Sequence, residues 1–164
     1  MANKTYSLLE TALTWKPATQ SPTETWEADS IANNAGRAGA LHDFGAAAVG
    51  RRFAWRFYTQ CQATPTVGTL IHLYWRSSDG SHPDNDDGTG DVAVSASDKL
   101  RNLLRLRACV VDEAAANIEF VASGWLYLPH RYGGPVLWNT SGASLTTDEA
   151  EHGFILTPWT DELQ

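Results

Sequence analysis

An all-β sandwich is what this chain predicts, and three observations predict it. Apolar and polar residues alternate with a period of two over long stretches, the pattern of half-buried strands. The clearest case runs from Arg52 to Thr59, where Phe53, Trp55, Phe57 and Thr59 interleave with Arg52, Ala54, Arg56 and Tyr58. The 13 glycines and 7 prolines punctuate that alternation, as many short strands joined by tight turns require. The stretches number about eight or nine, more than one open sheet holds without curling or splitting. The expected architecture is a two-sheet β-sandwich of jelly-roll type, with a closed β-barrel as the alternative.

Taken in order, Thr5 to Trp15 reads as a first strand, Pro17 to Pro22 as a turn region and Thr25 to Ala28 as a short strand. From Asn33 to Gly50 the alanines suggest a helix, but Gly36, Gly39, Gly45 and Gly50 interrupt it, each interior Gly costing about 1 kcal/mol in a helix. That stretch is expected to form one or two irregular strands with loops. After the Phe53 strand comes a second clear one, with Val67, Thr69, Ile71, Leu73 and Trp75 on one face. Ser77 to Asp91 is then an exposed acidic loop, and Ser95 to Asn102 opens with a helical turn capped by Ser97. Leu104 to Val111 and Ile118 to Leu128 alternate again around the turn Asp112 to Asn117, which makes a long hairpin. Val136 to Asn139 and Gly153 to Trp159 close the chain, separated by a polar turn from Gly142 to Glu151. No repeat, low-complexity block or linker divides the 164 residues, so residues 1–164 form a single domain able to bury roughly two thirds of its unfolded surface.

The net charge of −7 argues against nucleic acid as a partner, because phosphate neutralisation needs clustered Lys and Arg. The basic residues are scattered, and Arg51, Arg52, Arg101, Arg105 and Arg107 sit within strand patterns, where they face solvent or an interface. No run of about 18 apolar residues is present, and Met1 to Glu10 lacks the apolar stretch of a secretory signal. The expectation is a chain made in a cytoplasm, with Cys61 and Cys109 as two buried free thiols, the alternative being that they face each other across strands.

Little catalytic chemistry is legible. His42, His72, His82, His130 and His152 show no metal-ligand spacing, and no nucleophile elbow is present. Asp84, Asp86, Asp87 and Asp91 invite a calcium reading, but with Gly88 in the glycine position of an EF-hand loop the first ligand would be Pro83 and the last Val94. A solvated acidic turn is the simpler account. No catalytic residue, metal ligand or cofactor is therefore expected. Seven tryptophans are many for this length. Trp55 and Trp75 share strand faces with Phe and Ile and belong to the core. Trp125 and Tyr127 lie on the polar face beside Glu119 and Ser123, and Pro129 to Pro135, with Arg131 and Tyr132, has the composition of a contact loop. Trp125, Tyr127, Arg131, Tyr132 and Trp138 are the candidate partner-binding residues, since Trp, Tyr and Arg dominate interfaces.

The strand opening Ala63, Thr64, Pro65, Thr66, Val67, Gly68 and the closing passages LPHRYGGPVLWNTSG and HGFILTPWTDELQ resemble the small jelly-roll structural proteins of tailed-bacteriophage particles, of the capsid cement or decoration type. The resemblance extends over most of the chain. It implies a non-enzymatic virion protein on the capsid surface that forms a homotrimer and binds the major capsid protein; extended N- and C-terminal contact arms are a further expectation for such a protein. A tail or tail-fibre role fits the same fold. The rival from another class is a carbohydrate-binding jelly roll.

Overall fold

The computed structural model describes residues 5–9, 11–45, 52–128 and 130–163, with backbone only for 5–9 and 160–163. The strands are β1 (Thr5–Leu9), β2 (Leu13–Lys16), β3 (Glu24–Thr25), β4 (Ala35–Ala38), β5 (His42–Asp43), β6 (Arg52–Gln60), β7 (Leu70–Ser78), β8 (Val92–Val94), β9 (Leu104–Val110), β10 (Glu119–Tyr127), β11 (Tyr132–Thr140) and β12 (Gly153–Leu163). Among the described residues there is no α-helix, only three short 3-10 turns.

Two sheets pack face to face and do not close into a barrel. One runs β10-β6-β12-β2-β3, the other β8-β4-β11-β7-β9. Leaving aside the short β1, β3, β5 and β8, the eight principal strands number 1 to 8 as β2, β4, β6, β7, β9, β10, β11 and β12. Their antiparallel partners are then first with eighth, second with seventh, third with sixth and fourth with fifth. That nesting of pairs, with sheet orders 1-8-3-6 and 2-7-4-5, is the jelly roll the sequence predicts.

Several elements differ from the sequence reading. The first strand is broken: β1 and β2 both pair with β12, but the register slips by one residue between Leu9 opposite Trp159 and Leu13 opposite Leu156. The expected strand at Thr25 to Ala28 shrinks to β3, and Trp26 and Ala28 enter the core instead. The second clear strand starts at Leu70 because Gly68 turns with φ +85°, which leaves Val67 55% exposed. Most of the expected contact loop Pro129 to Pro135 is strand, since β11 begins at Tyr132; Pro129 lies outside the described residues, as do Ala46 to Gly50 of the irregular stretch. Pro135 is tolerated mid-strand because β11 changes partner there, from Ala38 of β4 opposite Val136 to His42 of β5 opposite Gly133, so no ladder donor is missing at that point.

The main core lies between the sheets and is aromatic. Trp15, Trp26, Phe57 and Phe154 are fully buried with Ile71, Leu73, Leu137 and Leu156, and Trp55 and Trp75 pack with them. Two of these indoles fit only because a neighbouring strand carries glycine: a Cβ on Gly124 would stand 2.7 Å from the Trp55 ring, and one on Gly133 would stand 2.6 Å from Trp75.

A second, smaller core covers the outer face of the β7-containing sheet. The chain leaves β8 at one edge and enters β9 at the other, so residues 95–103 must cross that face. Leu100 and Leu103 thereby pack with Tyr74, Val94, Val136 and Trp138. The turn Ser97–Leu100 begins there, but its cap is Ala96 with no side-chain hydrogen bond, not the Ser97 cap that the sequence suggests.

The acidic loop belongs to the same cover. Arg76, on the outer face of β7, is fully buried. Its Nη1 donates to Gly88 O (2.6 Å) and Asn85 Oδ1 (3.2 Å), and its Nη2 to Gly39 O (2.6 Å) and Gly90 O (2.7 Å). A guanidinium thus occupies the loop's centre, where a calcium reading would put a metal. The carboxylates are spent elsewhere: Asp84 accepts from Ser77 N, Asp87 from Ser95 Oγ, and Asp91 pairs bidentately with Arg37 at 2.7–2.8 Å. Asp79 accepts from Ser81 and His82, and these bonds pull its pKa well below the usual carboxylate range.

Candidate functional site

With one outer sheet face wrapped by the chain itself, the exposed large side chains concentrate on the other sheet and on the open edge. The outer face of the β6-containing sheet can be laid out from register. Tyr127 stands opposite Arg52, Trp125 opposite Ala54, Ser123 opposite Arg56 and Val121 opposite Tyr58. On the far side of β6, Ala54 faces Thr157, Arg56 faces Ile155 and Tyr58 faces Gly153.

Trp125 and Tyr127 are 62% and 66% exposed. Across the small Ala54, Trp125 meets Trp159 with ring centroids 4.4 Å apart and planes tilted by 41°. The Arg52 guanidinium lies 6.0 Å from the Tyr127 ring and 5.9 Å from that of Trp159, within cation–π range of both. Lys16 repeats the arrangement 5.9 Å over Tyr58. The described side chains of this face therefore include Lys16, Arg52 and Arg56, with Glu119 the acidic residue at one end. Six of the chain's 19 acidic residues lie in the 79–98 segment, which covers the opposite face.

The second exposed surface is the open edge where β9 and β10, the terminal strands of the two sheets, come together. A groove of about 460 Å³ runs between them, lined by Arg107, Cys109, Val110, Glu113, Ile118 and Val121 among others. Val110 (57%) and Val121 (47%) are exposed along it, and Leu104 (49%) is exposed further along β9. Leu104 and Arg107 stand opposite Trp75 and Leu73, so they sit in the inward-facing row and reach solvent only because the sandwich is open here. Long edge strands with exposed aliphatic side chains invite pairing with another chain.

The remaining candidates separate. Arg131 is exposed, forms a bidentate pair with Asp43 at 2.6 Å and stacks 5.0 Å over Tyr132. This partner holds the Asp43 carboxyl down at about 2. Trp138 does not join an exposed surface: only 8% of it is exposed, under the crossing segment. Sequence reasoning missed Arg52 and Trp159, because only the register of three strands shows that they meet Trp125 and Tyr127.

The titratable groups fall into structural roles. His152 is buried, with Nε2 2.9 Å from Thr146 O and Nδ1 2.8 Å from Thr59 Oγ1. A carbonyl only accepts, so Nε2 carries the proton and Nδ1 accepts from the threonine. Burial pushes its pKa down. His42 pairs with Glu24 at 2.8 Å against the ring of Phe44. Cys61 and Cys109 are free thiols raised by burial. Among the described residues no three His, Cys, Asp or Glu side chains converge as a metal site. Comparison with protein-family models and with curated proteins finds no match to this chain.

Proposed function

We propose that this chain is a non-enzymatic structural protein that assembles through the open β9–β10 edge, in the setting its sequence resembles: a cement or decoration protein of a tailed-phage head. The supporting observation is that edge. Two terminal strands from different sheets lie together, and three aliphatic side chains there are about half exposed. Burying such side chains against a neighbouring subunit contributes about 25 cal/mol per Å² of apolar area removed from water. Such a protein would add contact area where shell subunits meet, and stabilise the shell by binding only the assembled form. The Arg131–Tyr132 corner, fixed by Asp43, suits a second contact, with the major capsid protein, because its side chains are ordered before a partner arrives.

Sedimentation velocity tests the assembly. A trimer is expected, and Leu104→Asp with Val110→Asp should dissociate it without unfolding the monomer, since both positions are exposed. Co-sedimentation with capsids stripped of their decoration should follow the same variants. A strict monomer that binds no capsid would overturn the proposal.

A further inference from the structure

We propose, resting on the assembly edge just described, that the contact between copies is a shared sheet: β10 of one copy receives β1 of the next as an added antiparallel strand. The backbone of β10 is free to accept one. One residue before the strand, Ile118 O accepts from Cys61 N at 3.0 Å, and in an antiparallel pair successive residues turn their backbone groups to opposite sides. Phe120, Ala122, Gly124 and Leu126 therefore bond to β6, while Val121, Ser123 and Trp125 turn N–H and C=O to the free edge. The Trp125 carbonyl agrees, since it accepts from the Trp55 indole at 3.3 Å. Among the described residues no acceptor meets the N–H of Val121, Ser123 or Trp125. The neighbouring edge strand β9 carries Arg105 and Arg107 and a break in register opposite Leu73 and Tyr74, features that blunt an edge. Strand β10 has an unbroken register with β6, no proline and one charge, Glu119.

The other end of the same sheet supplies the strand. Strand β1 pairs with β12 from Thr5 opposite Leu163 to Leu9 opposite Trp159, whereas β6 pairs with β12 only from Gly153 to Pro158. Over 159–163 the described sheet is thus two strands wide, and a two-stranded ribbon is marginal in water. A third strand against β1 completes it. Direction fits as well: β1 is antiparallel to β12, β12 to β6 and β6 to β10, so β1 and β10 run opposite ways. Rotating a copy about an axis along the strands therefore brings its β1 antiparallel to the β10 of its neighbour, and a step of one third of a turn closes a ring in which both edges of every copy are covered. A twofold β10–β10 pair would leave both β1 edges bare. The incoming strand lies beside β10 over the groove, where it covers Val110 and Val121.

Sedimentation velocity and cross-linking of the full chain test this. Ser123→Pro removes an N–H that points away from β6, a loss an edge strand tolerates, so the variant should stay folded with a Tm close to the parent's and sediment as a monomer. Ser123→Thr keeps the N–H and should remain a trimer. Cross-linking identifies the occupant, and decides the matter if Ser123→Pro does not fold. Cys61 is buried, and Cys109→Ser removes the other thiol. In that background a short bismaleimide should join chains carrying Ser7→Cys to co-expressed chains carrying Val121→Cys, and should join neither kind to itself. A folded Ser123→Pro trimer would overturn the proposal. So would the absence of that mixed cross-link, or cross-linking of Val121→Cys chains to each other, which means a twofold pair. A trimer lost with Leu104→Asp and Val110→Asp yet kept with Ser123→Pro rejects the added strand and leaves the assembly edge standing, whereas a monomeric parent rejects both.

Discussion

Replacing Arg76 with methionine removes the guanidinium from the centre of the 79–91 loop while keeping much of its volume. Four close acceptors lose their donor: Gly39 O, Gly88 O, Gly90 O and Asn85 Oδ1. Each polar group left unsatisfied in a buried place costs about 1–3 kcal/mol, but the loop is exposed enough for some carbonyls to turn to water. Burial pushes the Arg76 pKa down to about 10 despite Asp87 and Asp91 nearby, so its charge is itself held at a cost that the methionine relieves. The balance is a loss of about 3 kcal/mol, near the lower end for breaking a buried ionic network. For a chain of this length that is a fall of about 6–12 °C in Tm, measurable by scanning calorimetry. Hydrogen exchange should show where the loss is felt: amides of residues 79–94 exchange faster, while those of β6 and β10 are unchanged in rank. Arg76→Lys should recover only part of the stability, because an ammonium cannot reach Gly39 and Gly88 from one point. A methionine variant within about 1 kcal/mol of the parent, with the loop as protected as before, would refute the view that this side chain organises the loop.

Gly124→Ala should destabilise by about 1–3 kcal/mol, because its Cβ would stand 2.7 Å from the Trp55 ring; Gly124→Ala with Trp55→Phe should recover part of the loss in chemical denaturation. Trp138→Ala should cost about 3–5 kcal/mol and Trp125→Ala less than about 0.5 kcal/mol, so equal losses in urea midpoint would contradict the assignment of one ring to a core and the other to solvent. His152 is neutral in the fold with a lowered pKa, so the folded state resists a proton that the unfolded chain takes up near pH 6.5. Its contribution is complete above that pH and is lost as pH falls through the folded value. The stability difference between the parent and His152→Gln should shrink below pH 6.5, and a pH-independent difference would count against the buried neutral tautomer.

Alternation made the long strands legible. In β6 the buried residues are the Phe53, Trp55, Phe57 and Thr59 row that the sequence marks, and Ile71, Leu73 and Trp75 fill the facing sheet. The first half of β11, before the predicted Val136 to Asn139 strand, was hidden because Gly133, Gly134 and Pro135 look like a turn. Each has a reason that depends on neighbours distant in sequence: Gly133 makes room for Trp75, Gly134 for the Ala40 carbonyl, and Pro135 sits where two partner strands meet. Trp125 and Trp138 occupy similar alternating strands, yet one is 62% and the other 8% exposed. What separates them is the path of residues 95–103 between opposite sheet edges, a property of topology that no local pattern carries. Arg76 was illegible for the same reason, since an arginine near a strand end ordinarily faces water.

The two outer faces differ in what covers them. A sandwich needs only its inner faces covered to be stable, yet here the chain spends residues 79–103 on wrapping one outer face. The wrapping closes over Arg76 of β7 and carries six carboxylates between Asp79 and Asp98. It draws these carboxylates to that side, while Lys16, Arg52, Arg56 and Glu119 stand among the described side chains of the opposite face. The bare face is therefore not merely the one left over: no crossing segment covers it, and Trp125 and Tyr127 stand exposed on it at 62% and 66%, where Trp138 on the wrapped face is 8% exposed.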